Sequence, residues 1–276
     1  MTIGFIGGGN MATALIGGLH ARGRSESDFR IVDPAAEQRE RLARRFPGAT
    51  VLPSTDTRAV AGVRLIVLCV KPHHMRDAAR ALAPHLGAPD APAILSIAAG
   101  IRVADLARWL EAPVAIVRAM PNTPALIGKG ISGVYASPDV APAARALAAE
   151  VLEAAGDVIW VERESMLDAV TGVSGSGPAY VFYFLEACEE AARDLGFSPA
   201  DARRLAYTTF SGAIALAQQS DAPPATLRAQ VTSKGGTTER AIAVMDAAGI
   251  KRGIVAAVAA AAQRAQELGD AFGTGG

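Results

Sequence analysis

The sequence predicts two domains, an N-terminal α/β domain with a mainly parallel sheet and a C-terminal all-α domain. Two observations predict this class. Short β-rich runs alternate with helical patterns over the first 160 residues, and the strand signal disappears from about Ser165. We expect the two domains to comprise residues 1–163 and 164–276.

The N-terminal domain is expected to contain strands and helices joined mostly at Gly, Pro or Asp. The strands are predicted at Thr2–Ile6, Phe29–Val32, Leu65–Val70, Ala93–Ile97, Val114–Ala119, Ile131–Ala136 and Val158–Val161. The helices are predicted at Met11–Ala21, Ala36–Arg45, Met75–Leu86, Val103–Leu110 and Ala141–Ala155. The connections are short enough for right-handed crossovers.

The C-terminal domain reads as consecutive helices. They are predicted at Gly177–Leu195, Pro199–Ser220, Thr237–Ala248 and Ile250–Leu268. Ser198 followed by Pro199 indicates a helix start, and Gly196 is placed to end the helix before it. The last helix carries a face of small and apolar residues, namely Ile254, Val255, Val258, Ala261, Ala262 and Ala265. That face is either core within the chain or a seam between two copies.

Composition favours a small-molecule partner over a nucleic acid or a membrane. The chain has 27 Lys and Arg against 27 Asp and Glu, so no broad field attracts polyanions. Its two cysteines, Cys69 and Cys188, lie in apolar runs and are not expected to form a disulfide framework. The first strand begins next to Met1 without a signal-peptide pattern, and no apolar run reaches the ~18 residues of a membrane span. We expect a cytoplasmic protein.

A glycine-rich turn follows the first strand. Gly7, Gly8, Gly9, Asn10, Met11 and Ala12 match G-x-G-x-x-A between a strand and an amphipathic helix. Gly7 permits the tight turn, Gly9 allows backbone N–H groups to approach a pyrophosphate, and Ala12 lets helix and strand pack closely. The pattern predicts a Rossmann-type doubly wound sheet that binds a nicotinamide dinucleotide. The alternative is a glycine turn used only for packing.

Asp33 ends the second predicted strand, 21 residues beyond Ala12 (33 − 12 = 21). A carboxylate near this spacing hydrogen-bonds the adenosine ribose 2′-hydroxyl of NADH. Alternatively, Asp33 and Pro34 form an ordinary turn that caps the next helix. Arg30 or Arg39 is near enough in sequence to meet a 2′-phosphate, so the choice between NADPH and NADH stays open.

Two more loops lie at the carboxyl ends of predicted strands, where open α/β sheets bind their ligands. One contains Val70, Lys71 and Pro72, and the other contains Ile97, Ala98 and Ala99; both are expected to face the cofactor. The adjacent pair His73 and His74 does not predict a metal site, because neighbouring side chains on a starting helix point apart. We expect no metal.

Three further segments identify a family. They are Met120-Pro121-Asn122-Thr123-Pro124, the run from Ala169 to Tyr180 that contains Ser174-Gly175-Ser176-Gly177-Pro178, and Val231-Thr232-Ser233-Lys234-Gly235-Gly236-Thr237-Thr238. Together with the glycine turn, they closely resemble pyrroline-5-carboxylate reductase, the last enzyme of proline biosynthesis. The resemblance runs over nearly the whole chain. It implies reduction of a cyclic imine carboxylate to proline by hydride from NADPH or NADH.

The loop from Gly235 to Thr238 is the candidate substrate site. Because Gly235, Gly236, Thr237 and Thr238 open a helix, free N–H groups and the positive end of the helix dipole can hold a small carboxylate. The resemblance places the Thr238 hydroxyl near the ring nitrogen, as the catalytic hydrogen-bond or proton donor. The alternative is a capped helix start in which the threonines satisfy N–H groups.

The remaining assignments concern residues outside that loop. Ser176 and Gly177 are expected to line the substrate pocket, although Ser174 to Pro178 is alternatively a plain hinge. Asn122 follows a strand and is expected to approach the nicotinamide.

The resemblance also aligns Asp56 and Glu164 with cofactor positions and Asp221 with a substrate position. An Asn often stands at the position of Asp56, and Glu164 and Asp221 are alternatively solvated surface charges. The family typically forms homodimers through its helical domain, sometimes assembled further.

Two rival functions are weighed against this one. A β-hydroxyacid dehydrogenase shares the domain order, but its catalytic lysine is missing because no Lys lies between Lys129 and Lys234. A non-catalytic dinucleotide sensor has no need for an intact loop at Gly235 to Thr238. Turnover of pyrroline-5-carboxylate separates the three.

Overall fold

A computed structural model describes residues 1–87 and 91–274. Within these residues, eight strands form one sheet in the order β3-β2-β1-β4-β5-β6-β7-β8. The strands are β1 Thr2–Ile6, β2 Phe29–Val32, β3 Thr50–Leu52, β4 Val63–Leu68, β5 Ala93–Ser96, β6 Ile116–Met120, β7 Gly130–Ala136 and β8 Gly156–Trp160. Neighbouring strands are parallel except β6 and β7, which are antiparallel. The first six strands have the doubly wound order of a Rossmann fold, as predicted.

Helices cover both faces of this sheet. They are α1 Asn10–Ala21, α2 Ala36–Arg45, α3 Thr57–Val60, α4 Met75–Leu82, α5 Val103–Leu110, α6 Pro142–Glu153 and α7 Met166–Val170. In β4, Leu65 and Val67 belong to one apolar cluster with α1 and α6, whereas Ile66 and Leu68 belong to a second with α4 and α5. All four side chains are fully buried. Burial on both faces explains why this strand is a continuous hydrophobic run.

Three short elements of this region were not predicted from the sequence. The strand β3 has three residues and α3 has four, and α7 has five. Elements of this length are too short to display a period of two or 3.6 residues. The strand β3 nevertheless pairs in parallel with β2 and extends the sheet at that edge.

The remaining helices are α8 Gly177–Asp194, α9 Pro199–Gln218, α10 Pro224–Gln230, α11 Thr237–Ala247 and α12 Ile250–Thr274. The helix start at Ser198 is confirmed, because the Ser198 hydroxyl accepts the Asp201 N–H at 3.2 Å and Pro199 opens α9. Gly196 has φ +96°, which suits the glycine that ends α8. The seven-residue helix α10 was missed.

Contact density divides the chain into two compact units. One contains the described residues up to Ser176 together with those from Ala260 onward, and the other is Gly177–Ala259. The sequence prediction drew its boundary between residues 163 and 164, so the two partitions group the residues differently. Within the described residues, no helix combines the length and apolarity needed to cross a membrane.

Candidate functional site

The glycine turn between β1 and α1 has the geometry of an anion cradle. Gly7 adopts φ +95°, its N–H donates to the Val32 carbonyl at 2.8 Å, and a Cβ there would lie 3.0 Å from Val70. Gly9 is the N-cap of α1 and has no side chain, and a Cβ at this position would meet no atom within 4 Å. The helix that begins at Asn10 therefore presents its first N–H groups to open space, which suits a pyrophosphate.

A cavity of about 590 Å³ extends from this turn along the carboxyl ends of β1, β4, β5 and β6. Nine of the predicted cofactor residues line it: Gly9, Asn10, Met11, Val70, Lys71, Pro72, Ile97, Ala98 and Ala99. The other lining residues are Cys69, Met120, Pro121, Thr123 and Leu126. Burial raises the pKa of the Cys69 thiol, so this group is neutral at physiological pH. The size and position of the cavity fit the nicotinamide end of a dinucleotide.

Asp33 directly follows β2 and lies beside the glycine turn. Its Oδ2 accepts the Gly8 N–H at 2.9 Å, and its Oδ1 accepts the Ala35 N–H at 2.9 Å. Arg39 donates to the carbonyls of Asp33 and Pro34, at 3.0 and 2.7 Å. The carboxylate therefore stabilises the turn after β2 and lies next to Gly8, but it does not cap the next helix, because the N-cap of α2 is Ala35 and receives no side-chain cap.

Asp56 and Arg58 form an ion pair at the start of α3. The Asp56 carboxylate accepts the Arg58 N–H at 2.8 Å and lies 2.7 Å from the Arg58 guanidinium. The side-chain bond to Arg58 lowers the pKa of Asp56 below its usual value. Asp56 does not line the cavity, and Arg58 balances the negative charge that it introduces.

Asn122 connects two loops through its side chain. Its Oδ1 accepts the Ile131 N–H at 2.9 Å, and its Nδ2 donates to the Ser174 carbonyl at 3.2 Å. The neighbouring residues Met120, Pro121 and Thr123 line the cavity, but Asn122 does not. Contact between Asn122 and the nicotinamide stays a prediction.

The Glu164 carboxylate binds two groups of the first unit. Its Oε1 accepts the Val103 N–H at the start of α5, at 2.8 Å, and the Arg118 guanidinium at 3.0 Å. The Arg118 side chain is only 3% exposed, and its Nη2 lies 3.9 Å from Asp168. Burial raises the pKa of Asp168, and the nearby Arg118 opposes that shift. Sequence reasoning missed Arg118, although an arginine inside the apolar run of β6 was a visible signal of a buried ion pair.

The loop before α11 has the predicted helix-opening geometry. Gly235 has φ +72°, Gly236 is the N-cap, and α11 begins at Thr237, so the N–H groups of Thr237 and Thr238 lie in its first turn. The Thr238 side chain is half-buried. Glu239, which sequence reasoning missed, accepts the Gly235 N–H at 2.7 Å through Oε2. The loop thus already holds one carboxylate at a backbone N–H.

The other predicted substrate residues are Ser176, Gly177 and Asp221, and they lie outside the loop before α11. Ser176 and Gly177 follow a π-helical turn, Thr171–Gly175. A Cβ on Gly175, which ends this turn, would lie 2.6 Å from Cε of Met120. Because Met120 lines the cavity, the turn packs against the cavity wall. Single π-helical turns are frequent at functional sites. Asp221 is exposed in the loop between α9 and α10.

Comparisons with known proteins match both the N-terminal and the C-terminal part of the chain. A family model described as pyrroline-5-carboxylate reductase dimerisation matches residues 164–268, and one described as NADP oxidoreductase, coenzyme F420-dependent, matches residues 2–100. The pyrroline-5-carboxylate reductase of Pseudomonas aeruginosa is 45% identical over 98% of each chain. That of Synechocystis is 38% identical over 97% of this chain and 98% of the relative.

Solved structures have the same fold over nearly the full length. A pyrroline-5-carboxylate reductase from Coxiella burnetii matches with a TM-score of 0.89 and 34% identity, covering 97% of this chain and 98% of that one. A Plasmodium falciparum pyrroline carboxylate reductase with NADP bound matches with a TM-score of 0.84 at 24% identity, covering 98% of both chains. The sequence relationship and the shared fold show that the chain belongs to the pyrroline-5-carboxylate reductase family.

Proposed function

We propose that this protein reduces 1-pyrroline-5-carboxylate to L-proline with a hydride from NADPH or NADH, the last step of proline biosynthesis. The observation that carries the proposal is the 45% identity to a pyrroline-5-carboxylate reductase over 98% of both chains. A match of this length includes the cavity in the first unit and the Gly235 to Thr238 loop in the second. A non-catalytic dinucleotide sensor that kept only the N-terminal fold does not account for the similarity over the second half of the chain.

The cofactor is assigned to the cavity beside the glycine turn. The first-turn N–H groups of α1 bind the pyrophosphate, and the loops that follow β4 and β5 surround the nicotinamide. The family model described as an NADP oxidoreductase and the NADP-bound relative support NADP(H). NADH is expected to make the same backbone contacts, because both dinucleotides share the pyrophosphate and the nicotinamide. When bound, the reduced nicotinamide supplies the hydride.

The substrate carboxylate is assigned to the loop before α11. The N–H groups of Thr237 and Thr238 and the helix dipole favour an anion there, and Gly235 adopts φ +72° in the turn that precedes the helix. The Thr238 hydroxyl donates a hydrogen bond or a proton to the ring nitrogen as the C=N carbon is reduced. Most of the acceleration then comes from positioning, because the protonated imine is already electrophilic. Ser176, Gly177 and Asp221 are proposed to complete this pocket.

The second unit is proposed to form a homodimer. The family model that matches residues 164–268 is described as a dimerisation region. An apolar groove of about 590 Å³ lies between α8 and the segment formed by α11 and α12, where Tyr183, Phe184 and Ile254 are among the lining residues. Burial of this groove against a second copy would remove a large apolar area from water. Further assembly of dimers is part of the same proposal.

Initial rates test the reaction. NADPH and NADH oxidation are followed by absorbance with 1-pyrroline-5-carboxylate, and proline is quantified as the product. We expect turnover with at least one cofactor, and much slower turnover of 1-pyrroline, which lacks the carboxylate. Absence of turnover with both cofactors would exclude this function, and equal rates for the two imines would exclude the carboxylate role of the loop.

A further inference from the structure

The end of helix α12 lies against the loop that joins β5 to α5, residues 97–102. Gly100 in this loop has φ +75°, and a Cβ on it would lie 3.1 Å from Cδ2 of Phe272. A Cβ on Gly269, three residues earlier in α12, would lie 3.4 Å from the carbonyl oxygen of Gly100. Because neither glycine has a side chain, the helix and the loop approach each other closely. Both segments belong to the first unit.

Polar contacts join the same part of α12 to the loop and to α5. Arg102 pairs with Asp270 at 2.7 Å, and Arg108 in α5 donates to the carbonyl of Gly273 at 3.1 Å. The side chains of Arg102 and Asp270 are 36 and 58% exposed, so water screens this ion pair. The bond from Arg108 is exposed as well. These polar contacts therefore contribute little to the stability of the attachment.

Phe272 provides the apolar part of the attachment. Its ring is partly buried and packs against the apolar cluster that contains Ala98 and Ile101, on the sheet face covered by α4 and α5. Ile101 is fully buried. Removing an aromatic ring from water contributes more free energy than a screened ion pair. Phe272 is therefore the main contact that holds the loop against α12.

The same loop forms one wall of the proposed cofactor cavity. Ile97, Ala98 and Ala99 line the cavity, directly before the glycine that contacts Phe272. Phe272 does not line the cavity, so it acts on a ligand there through the loop. The glycine turn proposed to bind the pyrophosphate belongs to a different loop, between β1 and α1.

From these contacts we infer that Phe272 is a positioning residue for the nicotinamide, because it holds the loop of residues 97–102 where the ring binds. The inference rests on the proposed function, since it requires that a nicotinamide dinucleotide occupies the cavity. Loosening the end of α12 weakens the nicotinamide contacts and leaves the adenosine and pyrophosphate contacts unchanged.

Binding of two ligands to the full-length protein separates these contacts. The first ligand is whichever of NADPH and NADH gives the higher kcat/KM in the rate assay. The second is the matching fragment without nicotinamide, 2′-phospho-ADP-ribose or ADP-ribose. In Phe272→Ala the loop occupies its binding position for only part of the time, so the dissociation constant of the dinucleotide should rise about tenfold, measured by isothermal titration calorimetry. The constant of the fragment should stay within about twofold of its value in the unaltered protein.

Two further variants test the origin of this effect. Phe272→Leu keeps an apolar side chain against the cluster, so its dinucleotide constant should lie within about threefold of the unaltered value. The matched control is Phe197→Ala, which removes a 49% exposed phenylalanine between α8 and α9 in the second unit. This control should change neither constant.

Each result has one meaning for the inference. A tenfold loss that is limited to the dinucleotide and largely reversed in Phe272→Leu supports it. An unchanged dinucleotide constant in Phe272→Ala would overturn it and leave the proposed function intact. Equal weakening of both ligands, including loss of both through unfolding, would also overturn it, because Phe272 would then stabilise the unit as a whole. If the unaltered protein neither binds nor oxidises either dinucleotide, the proposed function fails, and this inference fails with it.

Discussion

The two units of this chain differ in how they bury their apolar residues. In the first unit, the sheet is covered on both faces, and side chains such as Phe5, Leu15 and Ile66 are fully buried. In Gly177–Ala259, all of which the structure describes, only Leu185, Ala202 and Ala206 are buried. Large side chains of that unit remain exposed, for example Tyr183, Phe182 and Leu195 at 72, 63 and 81%. The first unit thus has a core of its own, whereas the second leaves most of its large apolar side chains exposed, on the unit for which we propose dimer contacts.

The largest effect is expected from a charge in the groove of the second unit. Ile254→Glu would bury an unpaired carboxylate if two copies associate there, at a cost of about 3 kcal/mol or more. We expect the dimer dissociation constant to rise more than ~100-fold, measured by sedimentation velocity over a concentration series. Ile159→Glu is the control, because Ile159 is an exposed isoleucine on β8 in the first unit. Identical association of the two variants would mean that the groove is not the dimer contact.

A catalytic effect of slightly smaller size is expected in the second unit. Thr238→Val keeps the shape of the side chain and removes its hydroxyl, so kcat/KM should fall about 100-fold if that hydroxyl assists proton delivery. The dissociation constant of NADH should not change, because the proposed cofactor residues lie mainly in the first unit. Thr50→Val, on the exposed β3 edge, controls for loss of a threonine hydroxyl. An unaltered kcat/KM in Thr238→Val would assign the proton to solvent.

The smallest effect concerns an ion pair within the first unit. Arg24 donates two hydrogen bonds to the Glu150 carboxylate, each with an N–O distance of 2.7 Å. The hydrogen bond from Arg24 is the main cause of the lowered pKa of Glu150. A carboxyl group whose pKa is lowered by folding stabilises the folded state at pH values above its pKa in the unfolded chain, which is about 4.3. That stabilisation is lost as the pH falls through the pKa of the group in the folded state. Because the Glu150 side chain is 42% exposed, Glu150→Gln should cost only about 0.5 kcal/mol at pH 7.

Urea unfolding checks this pH dependence. The difference between the unaltered protein and Glu150→Gln should be present at pH 7, shrink below about pH 4 and vanish in stronger acid. The control is Glu153→Gln on the same helix, whose side chain is exposed. A difference that persists unchanged at low pH would show that the charge of Glu150 is not its source.

Local features were the ones that the sequence predicted well. The glycine turn, the helix start at Ser198 and the strand β4 each depend on residues close together in the chain, so spacing and composition reveal them. Arg118 was not recognised because its meaning depends on Glu164, which is 46 residues away. Likewise, an amphipathic helix shows which face is apolar but not what covers it. Cys188 is an example, because it lies in an apolar run of the sequence but is exposed in this chain.

The bond between Glu239 and Gly235 orders the loop to which we assign the substrate carboxylate. Since an internal carboxylate already accepts the Gly235 N–H, the loop keeps its left-handed glycine conformation before any ligand arrives. Ordering a flexible loop upon association would subtract conformational entropy from the affinity. Here that entropy is lost when the chain folds, so the loop to which we assign the substrate carboxylate is already ordered.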